Sequence, residues 1–320
     1  MKSNPFDHYR VERVRFRYQL GEMQFASRHV PVAVNTRFFF ERSGDGERFV
    51  PPKETLLLGV PCVMVLSQPV AAPVPVVANA GHFVRFAPHQ YKRSTIPLEP
   101  SFEAYLRAMP SPRRCKLLAK RRKFLEACGG RMVLRLSTTP QELERFHREA
   151  RPLAARTYQE RLFRKGLPGT EAFLADLRRR GHQRARGYIL DGPNGQPIAY
   201  AYATIDGPLI TFEHLGYDDA FAKLSPGIVL QLAVLEDLFA THAGKIFDFG
   251  EGTGQHKETF GSESTSCADL YFFPKTLRGL ELFAGQALAH GVSRSAVAAL
   301  RRLGLREKVK RVLRRGLVPG

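Results

Sequence analysis

The stretch that most constrains the fold runs from Arg184 to Gly261. In RARGYILDGPNGQPIAYAYATIDGPLITFEHLGYDD, turn residues at Asp191-Gly192, Asn194-Gly195 and Asp206-Gly207-Pro208 separate three apolar runs. That spacing predicts three strands joined by hairpins. LSPGIVLQLAVLEDLFATHAG then reads as a helix, opened by Ser225-Pro226-Gly227 and closed by Gly244, and KIFDFG reads as a strand. A helix joining two strands of one sheet makes a right-handed crossover, so KIFDFG is expected beside Thr211 to Leu215. The class that follows is α/β.

The strand KIFDFG ends in an acidic, glycine-rich turn, Asp248 to Gly254, followed by His256-Lys257 and Phe260-Gly261. Glycines permit tight turns and close backbone approach, and carboxylates rarely crowd without a task. The crossover would bring Glu213, His214 and Tyr217 beside Asp248, Glu251 and Lys257. Each also has an ordinary reading: Asp248 as a hydrogen-bonded strand end, Glu251 and Lys257 as solvated charges, His214 as a satisfied core histidine. Ser225, Pro226 and Gly227 have two readings as well. They form either a simple N-cap or an anion seat built from the free amides and dipole of a helix start.

Elsewhere the chain divides by character. Residues 1–100 read as strands and turns, with apolar β-branched runs broken by Pro69, Pro73 and Pro75. Residues 101–275 begin with two helices, the second ended by Gly129 and Gly130, then a strand, MVLRLST, and helices over TPQELERFHREARPLAARTYQERL and EAFLADLRRRG. Residues 276–320 read as a basic amphipathic helical tail.

Charge narrows the partners. The formal charge of +19 and pI near 10.2 point to an anionic partner: nucleic acid, anionic lipid, or phosphorylated ligands. It is concentrated in two places. Arg107 to Arg135 holds ten basic residues against Glu126 alone, and the tail holds ten against Glu281 and Glu307. The four cysteines show neither paired nor zinc-type spacing, so neither a disulfide framework nor a zinc site is expected, and a reducing cytoplasm fits. No apolar run has the length of a spanning helix or signal peptide, so neither export nor membrane insertion is expected.

The segment from Gly195 to Gly261 resembles the GNAT-type acyltransferase domain of CelD-type accessory proteins of cellulose or polysaccharide biosynthesis, and more distantly the FemABX peptidyltransferases. The resemblance rests on GYDxxFxxxSPG followed by DFGxGxxxYKxxFG. It is met here at Gly216, Tyr217, Asp218, Phe221, Ser225, Pro226, Gly227, Asp248, Phe249, Gly250, Gly252, Lys257, Phe260 and Gly261. His256 stands where the family usually has Tyr. The likeness covers roughly residues 100–275, and such proteins commonly carry two GNAT-like lobes in tandem, so the first lobe is expected to be a degenerate one.

The resemblance implies a GNAT fold with a mixed sheet flanked by helices, and transfer of an acyl group from acyl-CoA to an amine or hydroxyl of a small-molecule, polysaccharide or envelope-precursor acceptor. No metal is implied. It further implies a pantetheine held between two splayed parallel strands and a pyrophosphate at the helix start. By position, Leu215, Gly216, Ser225, Pro226, Gly227, Asp248 and Phe249 would bind the cofactor. Glu213 would be the general base, with His214 as the alternative, and Tyr217 would protonate the thiolate. Tyr158, Glu251, His256 and Lys257 would face the acceptor. Two other functions stay open: a FemABX-like transferase using aminoacyl-tRNA, and a catalytically degenerate accessory protein. Acyl carrier protein or tRNA could meet the basic helix, and the tail could rest on the cytoplasmic membrane face.

Overall fold

The computed structural model describes residues 8–20, 23–42, 46, 48–156, 166–182, 184–252 and 254–302. In chain order the strands are β1 (Tyr9–Leu20), β2 (Met23–Asn35), β3 (Val63–Pro69), β4 (Val77–Ala80), β5 (Phe83–Pro97), β6 (Leu134–Ser137), β7 (Ala185–Asp191), β8 (Pro197–Asp206), β9 (Leu209–Tyr217), β10 (Ile246–Glu251) and β11 (Glu263–Pro274). The helices are α1 (Phe102–Ala108), α2 (Ser111–Ala127), α3 (Pro140–Arg156), α4 (Glu171–Arg180), α5 (Pro226–Thr241), α6 (Gln255–Phe260) and α7 (Leu277–Arg302). Among the described residues no helix is long and apolar enough to cross a membrane.

Two compact units form, one from residues 1–91 and 265–320 and one from residues 92–264. The divisions drawn from composition, after residues 100 and 275, fall at different points. In the first unit β1, β2, β3 and β11 lie side by side, and β4 pairs with the first half of β5. The long β1–β2 hairpin presents Val14, Phe16, Val30 and Val32 to α7, which supplies Leu282 and Phe283 to the same cluster. Not all of the region read as strands and turns is extended. Lys53–Leu58 forms a 3-10 helix, closed by Gly59 in the left-handed region at φ 63°. Its entry, Pro51-Pro52, denies the ladder two amide donors.

The second unit is a mixed sheet in the order β5, β10, β9, β8, β7, β6, in which β10 and β9 run parallel and the other pairs antiparallel. The three predicted strands are β7, β8 and β9. Gly195 and Gly207 take positive φ in the two hairpin turns. β8 is buried over nearly its whole length and sends alternate residues to two cores. Ala199, Ala201, Ala203 and Ile205 meet α5, α2 and α1 on one side, while Tyr200 and Tyr202 meet α3 and α4 on the other. Small residues on the α5 side admit a helix buried almost all round, from Val229 through Phe239. α2 is different: only Leu117 and Phe124 are buried, and its remaining positions carry the basic residues. It packs on α5 and on the 3-10 turn Asp219–Leu224.

Candidate active site

The site is built where β9 and β10 part. Their parallel pairing covers Ile246↔Leu209, Phe247↔Ile210 and Asp248↔Thr211, and then stops, although β9 runs on to Tyr217 and β10 to Glu251. Two local features open this fork. On β9 the register against β8 shifts between Tyr202↔His214 and Ala203↔Phe212, which leaves Glu213 as the extra residue of a β-bulge. On β10 the pairing with β5 passes from Asp248↔Thr95 to Glu251↔Arg93, so a second bulge falls at Phe249-Gly250. Gly250 and Gly252 have φ of 73° and 87°, conformations that cost a side-chain-bearing residue about 1–2 kcal/mol.

Buried charge holds the β10 side. The Asp248 side chain is 0% exposed. Arg93 donates to its Oδ2 through Nε at 2.9 Å and again through Nη2, and the Gly250 amide donates to Oδ1 at 2.8 Å. Lys257, also buried, donates through Nζ to the Gly250 carbonyl at 3.0 Å and to that of Glu251. Burial pulls its pKa below the usual lysine value, against the opposing pull of Asp248. The helix α6 that carries Lys257 is anchored at its end by the Tyr105 hydroxyl, which donates to the Phe260 carbonyl at 2.6 Å. The acidic turn is therefore a fastened structure.

The register sorts the candidate residues onto two faces of the sheet. Thr204 donates through Oγ1 to Glu213 Oε1 at 3.0 Å, and His214 lies against the rings of Phe173 and Tyr202. Both stand on the α3–α4 side. Leu215 packs into the α5-side core, and Tyr217 lies over the start of α5. A Cβ at Gly227 would come to 3.0 Å from Tyr217 Cδ1, which explains the glycine. Gly216 is buried between them in sequence.

The start of α5 departs from the simple cap. Ser225 occupies the N-cap position in the left-handed region, φ 51° and ψ 48°, and its side chain makes no capping hydrogen bond. Its carbonyl accepts from the amides of Ile228 and Val229 at 3.0 and 3.2 Å. With Pro226 at the first helical position, the Ser225 hydroxyl has no capping role. Asp218 begins the preceding 3-10 turn by accepting from the Ala220 amide at 3.0 Å.

Not every expected residue faces this place. Asp248 and Phe249, expected to bind the cofactor, have buried side chains, the first in the Arg93 pair and the second beside Phe247 in the core. Lys257, expected to face the acceptor, spends its ammonium on two carbonyls of its own loop. Glu251 is exposed. Tyr158 lies outside the described residues, and of His256 only the backbone, within α6, is described. Sequence reasoning missed Arg93 and Thr204. Arg93 carries no motif, and Thr204 is one apolar-looking position of a strand; each is placed by pairing with a distant segment. It also missed a cavity of about 140 Å³ lined by Glu149, Leu153, Gln196, Pro197 and Asp218.

Residues 111–258 match the family described as acetyltransferase (GNAT) domain. The crystal structure of FemX is similar at 9% identity, with a TM-score of 0.53 over 86% of this chain and 90% of that one. The structure of L-PGS from Bacillus licheniformis is similar at 13% identity, with a TM-score of 0.48 over 88% of this chain and 90% of that one. No curated protein matches. Residues 111–258 are thus similar to a GNAT-type acetyltransferase domain, and the fold is the α/β GNAT fold, a mixed sheet flanked by helices. The domain match supports a transferase of the acyltransferase class.

Proposed function

We propose that the second unit transfers an acyl group from acyl-CoA to an amine or hydroxyl of a small-molecule or envelope-precursor acceptor, in the manner of the CelD-type proteins, at the cytoplasmic face of the membrane. The observation that carries this reading is the β9–β10 fork, followed directly by the uncapped start of α5. A pantetheine arm is an extended amide chain, and a strand edge that has lost its partner offers the amides and carbonyls to pair with it. A pyrophosphate is a dianion, and the α5 start offers an amide, a hydroxyl and the positive end of a helix dipole. The basic residues of α2, which packs on the turn before α5, add to the same field.

In this reading Glu213 takes the proton of the attacking ammonium or hydroxyl, directly or through water. Its exposure keeps it accessible, and the Thr204 hydroxyl fixes the carboxylate orientation. The nucleophile adds to the thioester carbonyl, the carbon becomes tetrahedral, and amides between Leu215 and Tyr217 donate to the developing oxyanion. Collapse breaks the carbon–sulfur bond, and the Tyr217 hydroxyl gives the departing thiolate its proton. Arg93, Asp248 and Lys257 keep the opposite wall of the fork in place. The first unit would be a second, degenerate GNAT-like lobe.

The charge of +19 favours a second reading, aminoacyl-tRNA as donor. Thermal unfolding with acetyl-CoA and longer acyl-CoAs separates the two. A donor at one hundred times its Kd stabilises the protein by about 2.7 kcal/mol. Stabilisation by acyl-CoA supports the first reading. Its absence, together with tRNA binding that falls steeply with salt, replaces it with the second.

A further inference from the structure

α7 has a core face and, opposite it, a second apolar face that is exposed among the described residues. Leu282 and Phe283 face the β1–β2 hairpin, and Phe86 packs against Phe283 and His290. On the other side Leu277, Leu280, Leu288 and Val292 are 86%, 41%, 70% and 51% exposed. With exposed Ala284 they recur at steps of three and four, which on a helix makes a stripe about 120° wide. Single exposed leucines are ordinary, but an ordered row of them on one helix marks a surface that something occupies.

The charges around the stripe select the occupant. Exposed Arg278 and Arg294 flank it, and the one acid within its arc, Glu281, is paired with Arg28 at 2.9 Å. The chain then continues with eight arginines and lysines between residues 301 and 315 against Glu307 alone. An apolar stripe bordered by cations suits an anionic bilayer, where leucines enter the acyl boundary and cations meet phosphate headgroups. A nucleic acid would leave the leucines in water. A second copy of a chain with a charge of +19 would set like charges against each other.

We propose that the exposed face of α7 docks the protein on an anionic lipid surface, with Leu277, Leu280, Leu288 and Val292 inserted at the headgroup boundary. This rests on α7 alone and does not depend on the acyl-transfer reading. The test is flotation of the full chain with vesicles of phosphatidylglycerol and phosphatidylcholine, or of phosphatidylcholine alone. The wild type is expected to float with the first and not the second. The double variant Leu277→Glu, Leu288→Glu, and the milder Leu288→Ser, should keep the wild-type unfolding temperature because these side chains are exposed. The double variant should bind at least tenfold less. Equal flotation of wild type and double variant would assign the binding to basic residues alone and overturn the proposal. So would failure of the wild type to float, or a wild-type dimer in light scattering that the double variant converts to monomer.

Discussion

Replacing Arg93 by Met tests how the wall of the fork is held. Asp248 is fully buried, and its partner is mostly so, with 16% of the Arg93 side chain exposed. Removing one member of a buried pair leaves an uncompensated charge, which costs about 3–5 kcal/mol. Asp248 would keep the Gly250 amide at 2.8 Å, so the expected loss lies at the lower end, about 3 kcal/mol. In a unit of this size that is a fall of roughly 6–12 °C in Tm. Asp248→Asn keeps an acceptor for Gly250 and leaves a partly solvated guanidinium, so about 1–2 kcal/mol is expected. Combining Arg93→Met with Asp248→Asn removes both charges and should recover at least about 1.5 kcal/mol relative to the sum of the single changes. Urea unfolding read at several probes measures all three, and amide exchange locates the loosened segment in β5 and β10. A loss under about 1 kcal/mol for Arg93→Met, or strict additivity in the double variant, would refute the claim that this pair fastens β10.

Glu213→Gln should lower turnover by at least about 100-fold with little change in Tm, because the side chain is exposed and Gln still accepts from Thr204; full activity removes Glu213 as the base. Gly227→Leu should raise the Kd for acyl-CoA by about tenfold or more by pushing Tyr217 over the helix start, and unchanged affinity would move the anion seat elsewhere. Burial, with help from Arg294, lowers the His290 pKa below its ordinary 6.5. The folded chain then binds fewer protons than the unfolded one, so the contribution is complete above 6.5 and lost as pH falls through 6.5 toward the folded value. The difference in urea midpoint between pH 7.5 and pH 5.5 should therefore shrink in His290→Phe; an unchanged difference contradicts the assignment.

What was legible in advance was local. The glycine turns at Asn194-Gly195 and Asp206-Gly207 bound β7, β8 and β9, and Ser225-Pro226-Gly227 marks the start of α5, because turn and cap chemistry acts over a few residues. Even there the detail escaped: Ser225 sits at the cap without capping. What could not be read depends on partners far along the chain. Alternation assigns strand residues to faces, but the bulge that sets Glu213 beside Thr204 is fixed by register against β8. The partner of Asp248 lies 155 positions away at Arg93, with no motif to announce it. Lys257 looked like a solvated or substrate-facing charge until the loop carbonyls it binds were in place. The first unit was legible only as β-rich, and the 3-10 helix at Lys53–Leu58 was not, because apolar composition does not separate a buried strand from a short helix.

The central claim is that acyl-CoA lies in the β9–β10 fork with its pyrophosphate at the start of α5. Amide hydrogen exchange of the full chain with and without acetyl-CoA tests it most directly. Protection confined to Phe212–Val229 and to the β10 turn is the predicted result. Protection elsewhere, or none at saturating ligand, would contradict it.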